Sequence, residues 1–305
     1  MSNNLVTYGK VKTYVQNRLD LRDEGFITAD EMLEYCEEAL RYCEAEVHKL
    51  NLEDVYFEAE SYILLSSSQK NYDLPSNIYG NKILRIEFNR DDRIYDISRI
   101  RHSGRFSDAS NIDRYGSDSN YRYRLINNSP NTGTKIRFHP LPAESSTSHS
   151  FTADTTADSS ALANISGTAP VNYFVTGTGI RVGTRIDSIS GATAELSQAA
   201  SATGTTVSLT AVQDLVVMHY IRRVEIPTVT TDLIDFPEFW VFVAQHVVVS
   251  CLKKELGNNR IVAEQSYLEE LRQQMHATLS EQVVDEDNML ESDMSHYSDM
   301  SDGGY

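Results

Sequence analysis

Apolar positions near the N-terminus recur at helical spacing. Val11, Tyr14, Val15 and Leu19 predict a short amphipathic helix. After Gly25, Thr28-Ala-Asp-Glu31 has the form of a capping box, in which the hydroxyl and the carboxylate satisfy backbone N–H groups reciprocally. A longer helix is predicted over 29–50. Its apolar face is Met32, Leu33, Cys36, Ala39, Leu40, Cys43, Val47 and Leu50, opposed by Glu34, Glu37, Glu38, Arg41 and Glu44. The pattern then changes. Residues 62–65, 71–75, 82–88, 134–139 and 215–220 read as strands between Ser, Asn and Gly turns. The last should lie beside 136–138, so residues 143–213 interrupt one β-meander.

That interrupting block is rich in Ser, Thr, Ala and Gly, with short strand signals at 173–189, 194–197 and 205–210. A small β-sandwich or barrel fits them, inserted where its two ends lie close together. Gly177, Gly179 and Gly183 lack nucleotide-loop spacing and no amphipathic helix follows, so they are turn glycines.

After Pro227, Asp235-Phe-Pro-Glu238 predicts a capped helix start, and the helix expected over 236–256 is apolar nearly all round. Such a helix must be buried on every side, inside a bundle or between subunits. Phe239, Trp240, Phe242, Val247 and Leu252 are its expected packing residues. Gly257 closes it, and Ile261, Leu268, Leu271, Met275 and Leu279 mark a further helix. The predicted class is α+β. It comprises a helical bundle of about four helices, a β-meander or barrel section, and an inserted small β-sandwich. The expected division is a core of 1–142 with 214–284, an insert of 143–213, and a flexible acidic tail of 285–305.

Charge sharpens the division. The chain has 305 residues, with 27 Lys and Arg against 44 Asp and Glu, a net charge of −17. Residues 281–305 hold eight acids and no Lys or Arg; residues 143–213 hold five acids and two Arg, which leaves −6 elsewhere. Overall acidity argues against binding nucleic acid by phosphate neutralisation and fits DNA that passes without sticking. Met289, Leu290, Met294, Tyr297, Met300 and Tyr305 punctuate the acidic tail. Ordering it costs roughly 1–2 kcal/mol per residue, so it should not fold alone. A solvated tail and a peptide that docks through these six side chains both remain open.

From 85 to 124, nine arginines interleave with seven acids and several tyrosines. This reads as a solvated loop or an inter-subunit charge lattice of Arg90, Arg93, Arg99, Arg101 and Arg105, rather than a nucleic-acid patch. Cys36 and Cys43 lie on the apolar stripe and lack a second pair at metal-ligand spacing. His246 and His276 stand alone on helices. No nucleophile, base and orienting group can be assembled by spacing. The expectation is no enzyme, no cofactor and no metal. The N-terminus has no signal-peptide pattern, no segment reads as membrane-spanning, and the three cysteines fit a reducing compartment.

The order of these features resembles the head-to-tail connector, or adaptor, proteins of tailed bacteriophages, including tail-tubular and head-completion kinds. The residues that carry it are Phe26-Ile-Thr-Ala-Asp-Glu-Met-Leu-Glu-Tyr35, Tyr72-Asp-Leu-Pro75, Phe138-His-Pro-Leu-Pro142, Met218-His-Tyr-Ile-Arg222, Ile234-Asp-Phe-Pro-Glu-Phe-Trp240 and Lys253-Lys-Glu-Leu256. It covers about 5–142 and 214–284; the insert departs from the family's compact form and is similar to small β-modules on other phage structural proteins. The resemblance implies a structural virion protein assembled in the host cytoplasm. Its ring, a dodecamer in the family, would sit between the portal and the tail tube, nozzle or fibre proteins. The C-terminal tail would reach the portal and double-stranded DNA would pass through the channel. The alternative is a peripheral tail-fibre adaptor or host-attachment protein with 143–213 as its binding module.

Overall fold

The computed structural model describes residues 5–19, 27–67, 69–90, 93–100, 121–129, 133–139, 146–254 and 260–295, with backbone alone at 90, 127–129 and 283–295. The chain is α+β and divides into two units. One is helical and joins the two ends of the chain, 1–57 with 223–305; the other, 58–222, is built of strands.

The helical unit holds α1 (Tyr8–Leu19), α2 (Ala29–Lys49), a short α3 (Glu53–Phe57), α4 (Trp240–Lys254) and α5 (Ile261–Ser295). The capping box that starts α2 is formed: Thr28 Oγ1 accepts from Glu31 N at 3.2 Å and Thr28 N donates to Glu31 Oε2 at 2.9 Å. Met32, Cys36, Ala39, Leu40, Cys43 and Val47 are buried as their spacing requires. Glu44 belongs to the same buried side. It is only 5% exposed because its carboxylate accepts from the Val224 backbone at 2.8 Å. The helix start at Asp235 also differs from expectation. A 3-10 turn, Pro237–Phe239, precedes α4 with no side-chain cap, and the Asp235 carboxylate instead accepts from Glu225 N at 2.7 Å.

Helix α4 packs against α1, α2 and α5, which explains an apolar surface on all sides. Val243, Ala244, Gln245, Val247 and Val248 are fully sealed. Below its start, Phe236 meets Phe57 edge-on at 5.6 Å and lies 5.8 Å from Tyr56. The N-terminal segment is pinned beside this region: Tyr8 N donates to Asp232 O and Gly9 N to Thr230 O, both at 2.8 Å. A Cβ on Gly9 would stand 2.8 Å from that Thr230 oxygen, so no larger residue fits without movement.

In the strand unit, β1 (Glu58–Ile63), β3 (Ile78–Arg90), β4 (Arg93–Asp96) and β14 (Leu215–Arg222) form a sheet in the order β1-β14-β3-β4. A second sheet runs β2-β7-β6-β5, from β2 (Asn71–Asp73), β5 (Ser98–Arg99), β6 (Arg122–Ser129) and β7 (Gly133–His139). The expected pairing of β14 with β7 does not occur. Those strands face each other across a shared core, where Ile136 and Phe138 of one sheet join Val216, Met218 and Tyr220 of the other. Apolar alternation marks which face is buried and leaves the hydrogen-bonded neighbour undetermined. Tyr121 and Tyr123, read from sequence with the loop, also belong to this core.

All six strands of the third sheet fall within 148–212: β8 (Ser148–Thr155), β9 (Ala161–Gly167), β10 (Phe174–Gly177), β11 (Ile186–Ser190), β12 (Thr193–Leu196) and β13 (Gly204–Val212). Their order is β10-β13-β8-β9-β12-β11. Backbone bonds from Val175 N to Thr184 O and from Ile186 N to Tyr173 O bring the two ends of that order together. Its core is small: Phe151, Ala153, Leu162, Ile186, Leu196, Leu209 and neighbours. Phe174 and Val182 pack separately on Leu215 and Val217 of β14, which ties this sheet to the first.

Candidate functional site

The most distinctive surface is one face of the β2-β7-β6-β5 sheet. Strand pairing sets Arg122 opposite His139, Arg124 opposite Arg137, and Ile126 opposite Lys135. On the other side of β7, Asn71 lies opposite Arg137 and Asp73 opposite Lys135. Directly paired residues share a face. The intervening Tyr72, Tyr123, Ile136 and Phe138 fill the core, so these polar residues point away from it. Two contacts organise the face: Lys135 Nζ bridges Asp73 at 2.8 Å, and Arg137 Nε donates to Asn71 Oδ1 at 2.7 Å. The described face therefore gathers Arg122, Arg124, Lys135 and Arg137 with Asp73, on a chain of net charge −17. Sequence reading missed it because charge was averaged over 85–124. The signal was present as Arg122-x-Arg124 and Lys135-x-Arg137, cations two apart, of which only the second pair lies on a predicted strand.

A second polar cluster lies on the first sheet. His219 of β14 is 8% exposed; its Nδ1 stands 3.4 Å from Glu60 and 3.6 Å from Glu58, and its Nε2 3.7 Å from Glu87. Arg85 engages the same Glu87 at 2.8 Å. The separations from His219 exceed good hydrogen-bond lengths. Among the described residues, no His, Cys, Asp and Glu group could hold a metal ion.

In the helical unit, Glu264 of α5 gathers three helices. Its Oε2 accepts from Arg18 Nη2 of α1 at 2.9 Å, from Arg18 Nε at 3.1 Å, and from Gln245 Nε2 of α4 at 2.8 Å. Burial pushes its pKa up, but the bonds from Gln245 and Arg18 outweigh burial and leave it below the ordinary carboxylate value. Burial raises the thiols of Cys36 and Cys251 to about 12, and Cys43 is raised too. Few thiolates form at neutral pH, which removes nucleophilic reactivity. Burial also lowers the pKa of His246, against an opposing pull from Glu38.

The packing residues expected on α4 divide. Phe239, Phe242, Val247 and Leu252 are buried by their own chain. Trp240 is half-buried, with Tyr14 edge-on at 5.6 Å and Lys10 Nζ 4.2 Å from its ring centroid. Of the expected arginine lattice, Arg90 and Arg93 pair across β3 and β4, whereas Arg99 lies on β5 of the other sheet. Arg101 and Arg105 lie outside the described residues. Met289, Leu290 and Met294 fall on the helical backbone of α5, which continues into the segment read as a flexible tail. Tyr297, Met300 and Tyr305 lie outside the described residues.

No protein-family model matches the chain, and comparison with curated proteins gives no match. Among the described residues, no helix is long and apolar enough to cross a membrane. The arrangement places four cations on paired strands, with Lys135 held by Asp73 and Arg137 by Asn71.

Proposed function

We propose that the chain is a structural virion protein that forms a ring between portal and tail of a tailed bacteriophage, extending the DNA channel and carrying tail assembly. The observation that carries this reading is a cationic sheet face on an otherwise acidic chain. Opposite charges on different surfaces of one chain favour heterologous, head-to-tail contacts, and such contacts close into rings when the rotation permits. The order of sequence features resembling connector proteins supports the same reading. In it, the helices around α4 correspond to a connector's four-helix bundle, and 143–213 to an inserted sandwich or barrel on the outside.

Helix α5 supports a role for the C-terminal segment. At 35 residues it outruns α2 and α4, of 21 and 15 residues. Its last buried residue among the described side chains is Leu279. From there to Ser295 the helix advances roughly 24 Å. That length, with Met289, Leu290 and Met294 along it, suits an arm that docks on a portal.

Co-sedimentation with portal rings tests this. The full chain should co-sediment, and a chain lacking 281–305 should not, while keeping a cooperative thermal unfolding transition. Equal binding by both would remove the role of the arm; no binding by the full chain would overturn the proposal. A tail-fibre adaptor or attachment protein is the second reading, favoured by the separate core within 148–212. Excision of 143–213 would then abolish attachment while assembly proceeds.

A further inference from the structure

We propose that the outer face of the β1-β14-β3-β4 sheet, around His219, binds an arginine side chain presented by a protein partner. The site is assigned from this face alone and does not rest on the ring reading.

Strand register brings the groups together. Glu60 of β1 lies opposite His219 of β14, which lies opposite Arg85 of β3. In the next row Tyr62 lies opposite Val217, Val217 opposite Glu87, and Glu87 opposite Asp96 of β4. Glu58 takes the alternate position before Glu60 on β1. Paired and alternate residues share one face of a sheet. Met218 and Tyr220 fill the core between the two sheets, so this set lies on the other side. Phe174 and Val182 pack on Val217, so the third sheet adjoins the row that holds Tyr62.

Charge is unbalanced in these rows. The Glu58 and Glu60 carboxylates are about half exposed, and among the described residues each meets only His219 Nδ1, at 3.6 and 3.4 Å. Two carboxylates thus converge on one nitrogen without a hydrogen bond to it. Glu87 is already engaged by Arg85 at 2.8 Å. Even with His219 protonated, Glu58, Glu60, Glu87 and Asp96 outnumber the two cations Arg85 and His219. The floor of the site is also incomplete. His219 is 8% exposed, yet its Nε2 has no hydrogen-bond partner, and Glu87 Oε2 stands 3.7 Å away. A buried nitrogen left in this way points to a neighbour that the isolated chain lacks.

The chemistry selects a guanidinium. These carboxylates and the imidazole form no group able to hold a metal ion, so the missing cation is organic. A planar guanidinium fork offers N–H groups to two carboxylates at once, whereas an ammonium is a compact point charge. Tyr62 is exposed on the same face, about 6.8 Å along the strand from Glu60. A guanidinium held by Glu60 therefore comes within cation–π range of its ring. Ile94, exposed in the row beyond Asp96, gives apolar surface to the segment that carries the arginine, which favours a protein over a small polyamine.

A fluorescein-labelled hexa-arginine peptide titrated with the full chain, read by anisotropy, tests the site. E58Q/E60Q should weaken binding about tenfold, the loss expected for two partly exposed charge pairs. Y62L keeps apolar bulk without the ring and should weaken it about threefold. E34Q/E38Q makes the same change of charge on the exposed side of α2 and should bind as wild type does. Hexa-lysine should bind wild type several-fold more weakly than hexa-arginine, with a smaller difference in Y62L. A cooperative thermal transition near that of wild type shows that each variant is folded.

No saturable binding by wild type, or equal affinity in E58Q/E60Q, would overturn the site. An equal loss in E34Q/E38Q would do the same, since binding would then follow net charge. Hexa-lysine or spermidine binding as tightly as hexa-arginine, with the same dependence on Glu58 and Glu60, would make this a general ammonium site and overturn the arginine assignment.

Discussion

Glu264→Ala should loosen the helical unit at the point where α1, α4 and α5 meet. Glu264 is 7% exposed and Gln245 is fully buried, so neither is well placed to exchange its lost bonds for water. The substitution removes a carboxylate that accepts three donors, at 2.8, 2.9 and 3.1 Å. Hydrogen bonds to charged groups contribute about 1.5–3 kcal/mol each in net terms. Two offsets apply here. The Arg18 side chain is 38% exposed and can recover water, and Gln245 Nε2 also reaches the Glu264 backbone oxygen at 3.1 Å. The expected net loss is about 2–3 kcal/mol. Glu264→Gln keeps an acceptor and should cost about half as much. Urea unfolding followed by far-ultraviolet circular dichroism measures both. The folded pKa of Glu264 lies below its ordinary value, so its contribution is full above the unfolded carboxylate pKa and declines as pH falls. The difference between wild type and E264A should therefore narrow in acid. A change below about 0.5 kcal/mol, the scale of an ordinary surface substitution, would refute the account of this node.

Phe138→Ala should cost about 3–5 kcal/mol, since Phe138 is 2% exposed between the two sheets; thermal denaturation of the strand unit gives the value, and a loss under about 1 kcal/mol would contradict that core. Thr28→Ala removes the cap of α2 and should cost about 1 kcal/mol by the same assay. Glu31, beside the Thr28 cap and Lys254, is held to about 2, chiefly by Lys254 and then by the Thr28 backbone. Its stabilisation is present above the unfolded carboxylate pKa and lost as pH falls towards 2, so the midpoint of titration by NMR checks it. Iodoacetamide at neutral pH should label Cys36, Cys43 and Cys251 only as fast as the protein opens, and rapid labelling of the native state would contradict their burial. Gly177→Ala should destabilise the six-stranded sheet, because a Cβ there would lie 2.6 Å from Leu209 Cδ2 and 2.9 Å from Ser208 O.

The helices were the more legible part of this chain. The stripe on α2 and the all-round apolarity of α4 each specify burial directly, and Thr28 with Glu31 specifies a start. Where a polar residue has a long-range partner, local pattern misleads: Glu44 turns inward to meet the Val224 backbone, and Asp235 leaves its helix to bind Glu225. The strands β8 and β9 escaped notice because Ser, Thr, Ala and Asn fill their alternation. Phe151, Ala153 and Leu162 are the buried apolar residues there, with Ile165 packed against their core. Sheet neighbours depend on pairing across more than a hundred residues, as for β1 with β14, and no local pattern contains that. The cationic face combines both difficulties. Its cations alternate visibly on two strands, but the register joining β2, β7 and β6 is needed to see one surface.

Oligomeric mass of the full chain, alone and with portal protein, tests the central claim most directly. Mass photometry supported by electron microscopy should show closed rings, present alone at low salt or formed on the portal. A single species of monomer mass under both conditions, with no portal-bound fraction, would contradict it.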